Sequence, residues 1–421
     1  MSQTTRILLS LVAGLAIGIV AAATVPESAI SAIDYVRPIG SAWLNALRMT
    51  IVPLVVSLLV VGIAATAEAA RASKLATGAI ALFLVLLWIS AALGALLTPL
   101  FLDLWTLPDS ATAALRDAFA GAEPAGEVPP FSDFLAAIVP TNPIAAAAED
   151  SFLPLIIFTT VFAFAVTRLP EEPRETLVKF FRALSDAMLV MIHWVLWLAP
   201  IGVVALSYVV GARAGTAALG ALLHYVVIVS AVGGVLLLLA YPLAVFGGKL
   251  PLGRFAREVA PSQAVAVSTQ SSLASLPAML ASSERLGIPV STSGVTLPLA
   301  VAIFRVTGPC MNIAVAIYVA HVFGMELTPT QLAAGVAAAA ITTLGAVSLP
   351  GAISFISSIA PVAIAMGVPV APLALLVAVE TLPDIMRTIA NVTMDVSTTS
   401  VIAARSGAGG ERSEADELLE G

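Results

Sequence analysis

The residues most able to do chemistry sit together near the end of the chain, in the run Glu380-Thr-Leu-Pro-Asp384-Ile-Met-Arg387-Thr388-Ile-Ala-Asn391-Val-Thr-Met-Asp395. At about 100° per residue, Glu380, Asp384, Arg387, Thr388, Asn391 and Asp395 fall within an arc of roughly 100° on one helix. The opposite face is Ile385, Ile389, Val392 and Val396. Arg387 offers a planar fork of donors that matches a carboxylate. Asp384, nearly one turn away, suits an ammonium. Together they complement a zwitterion or an acidic amino acid. The competing reading is a structural ion-pair stripe between helices.

The elements that must carry this face are set by composition. Of 421 residues, 59% are hydrophobic and 11% charged, with a mean hydropathy of +1.03. A soluble domain carries about 25% charge. This chain has too little polar surface for water and is expected to be an all-α polytopic membrane protein. A charge at the bilayer centre costs about 3 kcal/mol or more, so the polar face is functional by default. The formal charge is -7, from 19 Lys+Arg and 26 Asp+Glu. No basic patch is available, so nucleic acid is excluded as a partner. The single cysteine, Cys310, excludes an internal disulfide. His193, His224 and His321 are far apart and read as packing residues rather than metal ligands.

Uncharged runs at Ile7–Pro26, Met49–Ala67, Leu75–Leu102, Ser151–Thr167, Ala187–Ala212 and Ala214–Gly248 read as spanning helices. The first resembles a signal peptide, but the spans that follow favour its retention. Basic residues at Arg6, Arg71, Lys74, Arg168, Arg174, Lys179, Arg182, Lys249, Arg254, Arg257 and Arg405 mark alternate ends as cytoplasmic. This places both termini inside and the acidic segment Phe101–Asp150 outside. Two stretches fail as simple spans: Ala260–Glu284, with Ser268-Thr-Gln-Ser-Ser-Leu-Ala-Ser-Leu-Pro277, and Thr328–Val368, with Ser348-Leu-Pro-Gly-Ala352. Irregular backbone at membrane depth is tolerated where protein buries it or it lines a cavity. Two re-entrant hairpins satisfy that condition, and paired broken segments point to a transporter's binding site. Two Pro-kinked spanning helices are the plainer alternative.

Several motifs carry a resemblance across most of the chain. They are Arg37-Pro-Ile-Gly, Leu47-Arg-Met, Val52-Pro-Leu-Val, Trp197-Leu-Ala-Pro-Ile-Gly202, Gln270-Ser-Ser-Leu-Ala-Ser-Leu-Pro277, Leu349-Pro-Gly-Ala352 and the Arg387–Asp395 run. The chain resembles the dicarboxylate/amino acid:cation symporter family, which includes the glutamate and aspartate transporters. The resemblance implies eight transmembrane helices plus two re-entrant hairpins, in an elevator-type homotrimer of the plasma membrane. A mobile transport domain would slide against a fixed scaffold, carrying a small-molecule substrate through the lipid bilayer. It implies scaffold helices 1–2 over 1–70, transport-domain helix 3 over 71–102, and an acidic outer loop with scaffold helices 4–5 over 103–213. The rest of the transport domain would span 214–405, with hairpins at about 258–287 and 328–367, before a disordered cytoplasmic tail at 406–421.

Carried over by position, Arg387 would bind the side-chain carboxylate and Asp384 the α-ammonium. Thr388 and Asn391 would hydrogen-bond the substrate. Ser271 and Ser272 would form the inner tip, and Leu349, Pro350 and Gly351 the outer gate.

The resemblance fails at one motif. Where the family carries Asn-Met-Asp-Gly-Thr in an unwound seventh span, this chain has Phe304-Arg305-Val306-Thr307-Gly308. A hard cation needs oxygen donors, and Phe304 and Val306 supply none from their side chains. Leu86 and Leu87 replace hydroxyl residues of the third span. No cofactor or metal is implied with certainty, and sodium is disfavoured. Arg305 reads as a built-in replacement for a bound cation that neutralises Asp395, with Glu380, Asp395 and Asn391 as coupling residues. The alternative is that a carbonyl-built sodium site near Thr343, Leu344 and Gly345 still works. The function expected is transport of aspartate, glutamate or a related dicarboxylate with reduced or absent sodium coupling. Sodium- or proton-coupled symport of neutral amino acids or dicarboxylates, and an anion channel, stand as alternatives. An intramembrane aspartyl protease is disfavoured, because Asp384 and Asp395 lie about 16 Å apart along one helix.

Overall fold

A computed structural model describes residues 3–72, 74–107, 112, 139–149, 151–344 and 352–406. The described residues are helical, with no strand among them. Among the described residues, five stretches are long and apolar enough to cross a bilayer: Pro26–Ala70, Lys74–Leu104, Glu171–Trp197, Leu219–Gly247 and Val290–Val322. Leu9–Thr24, Pro154–Val166 and Ala199–Arg213 are shorter apolar helices. The final helix is not among these stretches. Its first half holds the acids and the arginine of the polar face, and the protein rather than lipid surrounds it.

The helices fall into two packed groups. The first holds α1 (Gln3–Thr24), α2 (Pro26–Arg48), α3 (Ile51–Ala72), α5 (Pro143–Ala148), α6 (Phe152–Val166), α7 (Glu171–Trp197) and α8 (Ala199–Ala214). Here α1 and α2 pack on α8, and α3 packs on α6 and α7. Small residues permit this closeness. A Cβ at Gly18 would overlap the backbone of α8, and one at Gly211 the backbone of α1. α2 and α3 are separated only by Met49 and Thr50 and together make one apolar stretch, Pro26–Ala70, with Glu27, Asp34 and Arg37 in its first half.

The second group holds α4 (Lys74–Leu104) and α9 (Ala217–Pro242), followed by α10 (Leu252–Thr269), α11 (Leu276–Arg285), α12 (Val290–Ile303) and α13 (Thr307–Val322). It continues with α14 (Pro329–Thr343), α15 (Ala352–Ala365), the short α16 (Leu373–Leu376) and α17 (Thr381–Ser406). α17 packs against α9, α10 and α12, and α4 packs against α13. The groups meet at several places, among them where α4 touches α3, where α14 touches α6, where α15 touches α3, α6 and α7, and where α16 touches α8.

α10 and α11 form an antiparallel hairpin. The Ser262 and Ser282 hydroxyls lie 2.8 Å apart, Arg285 Nε donates to Glu258 Oε2 at 2.8 Å, and Arg254 Nη2 donates to the Arg285 carbonyl at 2.7 Å. The outward helix stops at Gln270, held in the left-handed region at φ 50°, a conformation uncommon for a residue with a Cβ. α14 and α15 are also antiparallel, since Gln331 near the start of α14 donates to the Met366 carbonyl just past the end of α15. α14 opens with a capping box. Gln331 N donates to Thr328 Oγ1, Thr328 N donates to Gln331 Oε1, and Pro329 takes the first helical position. The tip of this second pair, with Gly345 and the predicted gate Leu349, Pro350 and Gly351, lies outside the described residues. So do most of the acidic segment 103–150 and the tail beyond 406.

Candidate functional site

α12 and α13 are halves of one apolar stretch, separated at residues 304–306. α12 ends at Ile303, and Phe304 leaves the helix at φ -106°, ψ 75°. The Phe304 ring stacks on Phe83 of α4 at 4.4 Å between centroids. The Ser90 hydroxyl of α4 donates to the Val306 carbonyl. Thr307 then starts α13. Its amide donates to Asn391 Oδ1 at 3.0 Å, and its hydroxyl donates to the same oxygen at 2.9 Å. The break therefore leans on α17 through Asn391, which accepts both the Thr307 amide that the helix start leaves unpaired and the Thr307 hydroxyl.

The polar face of α17 begins at Glu380, whose carbonyl accepts from the Asp384 amide at 2.8 Å. Glu380 and Asp384 thus stand at the helix N-terminus, where carboxylates are favoured by the helix dipole. Arg387 points to the same end. Its Nη2 donates to Glu380 Oε1 at 3.1 Å, its Nη1 donates to Asn312 Oδ1 at 3.1 Å, and its Nε lies 3.9 Å from Asp384 Oδ1. The second Glu380 oxygen accepts from the Tyr225 hydroxyl at 3.0 Å. α9, α13 and α17 are pinned together by this network. Tyr225 and Glu380 are buried, and only 14% of the Arg387 side chain is exposed.

These groups border a cavity of about 420 Å³, part of it open to solvent. Its lining includes Arg305, Gly308, Asn312, Thr343, Glu380, Asp384, Arg387 and Asn391, closed on one side by Phe355 and Ser358 of α15. Residues from the α12–α13 break, α13, α14, α15 and α17 therefore converge on one space. The structure brings Arg387, Asp384, Asn391, Glu380 and Arg305 to it. Thr388 and Ser271 are turned elsewhere. The Thr388 hydroxyl donates to the Asp384 carbonyl at 2.9 Å, and Ser271 Oγ accepts from the Ala274 amide at 3.2 Å. Ser272 is half-buried beside it at the hairpin tip. Neither serine is among the described lining residues.

Asp395, one turn beyond Asn391, is buried, and neither of its carboxylate oxygens has a hydrogen-bond partner among the described residues. Arg305 lies within electrostatic reach of Asp395, Asp384 and Arg387. Its charge acts on Asp395 across a gap rather than through a hydrogen-bonded pair. The residues flanking Arg305 in the break are apolar. Phe83, Leu87, Phe304, Val306 and Met394 form one buried cluster, with Leu86 against it. Those side chains offer no oxygen to a hard cation. Among the described residues no group of three or more His, Cys, Asp or Glu converges as metal ligands. α14 ends at Thr343, where the Leu344 amide donates back to the Ile341 carbonyl at 3.1 Å.

Sequence reasoning missed Tyr225, Asn312 and the cross-link made by Thr307. Asn312 carries a signal: it is a lone amide in the buried apolar run from Pro309 to Val322. Of the histidines, His224 is buried between helices, its Nε2 2.6 Å from the Trp105 carbonyl and its Nδ1 3.2 Å from the Tyr318 hydroxyl, while His193 is exposed and its Nδ1 lies 2.8 Å from the Leu189 carbonyl of its own helix.

The profile of the Sodium:dicarboxylate symporter family matches residues 4–405. The chain belongs to this family. It is thus a multi-pass membrane protein of a secondary-transporter family, not an enzyme. A Proton/glutamate-aspartate symporter of Escherichia coli is 28% identical over 389 residues, covering 88% of this chain and 85% of the relative. A Proton/sodium-glutamate symport protein of Bacillus caldotenax is 26% identical, with 85% of each chain covered. A C4-dicarboxylate transport protein of Laribacter hongkongensis is 26% identical over 87% of this chain and 83% of the relative.

Proposed function

We propose that this family member carries an acidic amino acid, aspartate or glutamate, or a related dicarboxylate, and that it does so without requiring sodium. The observation that carries this reading is the cavity at the head of α17, where Arg387, Asp384 and Asn391 meet the α12–α13 break. A guanidinium fork and a carboxylate within one turn of each other recognise a carboxylate and an ammonium on one ligand. Asn391 holds the break in register, and Thr388 fixes the turn that presents Asp384. Relatives named for glutamate-aspartate and for C4-dicarboxylates bracket the same ligand class.

Sodium independence is supported by what fills the α12–α13 break. The stacked Phe83–Phe304 pair with Val306 and Met394 replaces oxygen donors by carbon. Arg305 supplies a fixed positive charge near Asp395, as a bound cation would. Coupling to protons through Glu380 or Asp395 is the second reading. It is favoured by the unpartnered Asp395 carboxylate and by the name of the Escherichia coli relative.

Transport proceeds as an elevator. The α4 and α9–α17 group moves as the carrier, and the α1–α3 and α6–α8 group is the scaffold, here a homotrimer with both termini cytoplasmic. Two antiparallel helix pairs in the carrier group, one of which (α14–α15) lines the cavity, support this division. The test is uptake of labelled L-aspartate into proteoliposomes with sodium replaced by choline. Saturable uptake in choline is expected, and strict dependence on sodium overturns the reading.

A further inference from the structure

At one end of the second helix group, basic and apolar side chains share an exposed collar. The turn Leu243–Gly247 closes α9, and Gly248-Lys249-Leu250-Pro251 leads into α10. This link is fixed on both sides of Lys249. A Cβ at Gly248 would overlap the Ser400 hydroxyl of α17, and the Leu250 amide donates to the Ala244 carbonyl at 3.1 Å. Lys249 is held between them at φ 56°, in the left-handed region that a residue with a Cβ seldom takes. It is exposed. So are its apolar neighbours: Phe246, three residues before it, is 83% exposed, and Leu252, three residues after it, is 56% exposed.

More positive charge gathers at the same end. Arg254 and Arg257 stand three residues apart on α10, both exposed, while Phe255, Val259, Ser262 and Ala266 form the buried face of that helix. Arg254 Nη2 donates to the Arg285 carbonyl at 2.7 Å, a contact that leaves its charge without a counter-ion. Arg285 itself is paired with Glu258 at 2.8 Å. On α17, Ser400 and Val401 pack against Gly248 and Gly247, and Arg405 follows one turn later, exposed. Lys249, Arg254, Arg257 and Arg405 pair with no acid among the described residues. Of the acids on α10 and α11, Glu258 is taken by Arg285, and the exposed Glu284 is left against these four bases. Bases grouped beside exposed apolar side chains match the boundary between lipid headgroups and hydrocarbon.

We propose that this collar binds an anionic phospholipid, with Lys249, Arg254, Arg257 and Arg405 meeting the headgroup charge and Phe246 and Leu252 meeting the acyl chains. A free phosphate matches the charge but leaves Phe246 and Leu252 uncovered. The same holds for the acids that follow Arg405 in the sequence, Glu411, Glu414, Asp416, Glu417 and Glu420. The proposal is independent of the ligand that the cavity at the head of α17 takes.

The experiment is lipid titration of the purified full-length protein in detergent, with bound lipid counted by native mass spectrometry. The probes are dioleoylphosphatidylglycerol and dioleoylphosphatidylcholine, which share acyl chains and differ in headgroup charge. The proteins are wild type, Lys249→Gln/Arg257→Gln, Phe246→Ser and, as a control on α7, Arg174→Gln/Arg182→Gln. A base near an anionic lipid surface is worth about fivefold in affinity, so losing two should weaken phosphatidylglycerol about 25-fold and phosphatidylcholine less than about twofold. The control is expected to bind phosphatidylglycerol as wild type does. Phe246→Ser keeps every charge and should weaken both lipids by the same factor, which tests the collar even where the double variant fails to fold. Equal affinity of wild type for the two lipids overturns the proposal. So does a loss in the control equal to that in the collar variant, or unchanged binding in both collar variants. Full displacement of phosphatidylglycerol by glycerol 3-phosphate also overturns it, because the site would then belong to a free phosphate.

Discussion

Removing the positive member of the Arg387–Glu380 pair should destabilise the protein, and removing both should restore it. Arg387→Met leaves the Glu380 carboxylate buried, 6% exposed at its side chain, with the Tyr225 hydroxyl as its remaining donor among the described residues. Breaking a buried ion pair from one side costs about 3–5 kcal/mol, because an uncompensated charge stays in a poorly solvated place. Discounting for exposure is small here, since 14% of the Arg387 side chain is exposed. The Asn312 amide oxygen also loses its donor, which adds about 1 kcal/mol. The double variant Glu380→Gln/Arg387→Met removes both charges and keeps an acceptor for Tyr225, so most of the loss should return. The assay is thermal unfolding of the purified protein in detergent, read as a double-mutant cycle. A single Arg387→Met variant as stable as wild type, or a double variant less stable than the single, would refute the burial argument.

Other outcomes follow from single contacts. Gly308→Ala places a methyl 3.2 Å from Thr343 Oγ1 inside the cavity, and should raise the KM for L-aspartate several-fold with little change in unfolding temperature. Gly94→Ala forces a Cβ against the Cys310 carbonyl between α4 and α13; overpacking there should cost about 1–3 kcal/mol, visible as a lowered unfolding midpoint. Gln263→Leu removes donors to Tyr241 (3.1 Å) and Thr393 (2.9 Å), and should weaken the docking of α10 on α17 by about 1–3 kcal/mol, seen as faster amide exchange in the hairpin than in α13.

The polar face of α17 was legible because charged residues recur at helical spacing within an otherwise apolar chain. The helical period that groups Asp384, Arg387 and Asn391 on paper is the one that sets them around the cavity. The α10–α11 hairpin was legible for a related reason: a serine-rich break between apolar arms has few other ways to satisfy its backbone. What stayed hidden was partnership. Arg387 reads as a free fork in one dimension. In space its donors meet Glu380, seven residues away, and Asn312, 75 residues away. Tyr225 approaches Glu380 from 155 residues distant, and nothing local marks it. Thr388 reads as a ligand donor, but a threonine hydroxyl on a helix has its own carbonyl four residues back within reach, and here it uses it.

The central claim is that the head of α17 is the ligand site. It is tested most directly by titrating L-aspartate and succinate into wild type and into the folded Glu380→Gln/Arg387→Met variant, side by side in choline buffer. The account predicts saturable binding to wild type and none to the double variant at equal fold stability. Equal affinity in the two proteins would place the ligand elsewhere and contradict it.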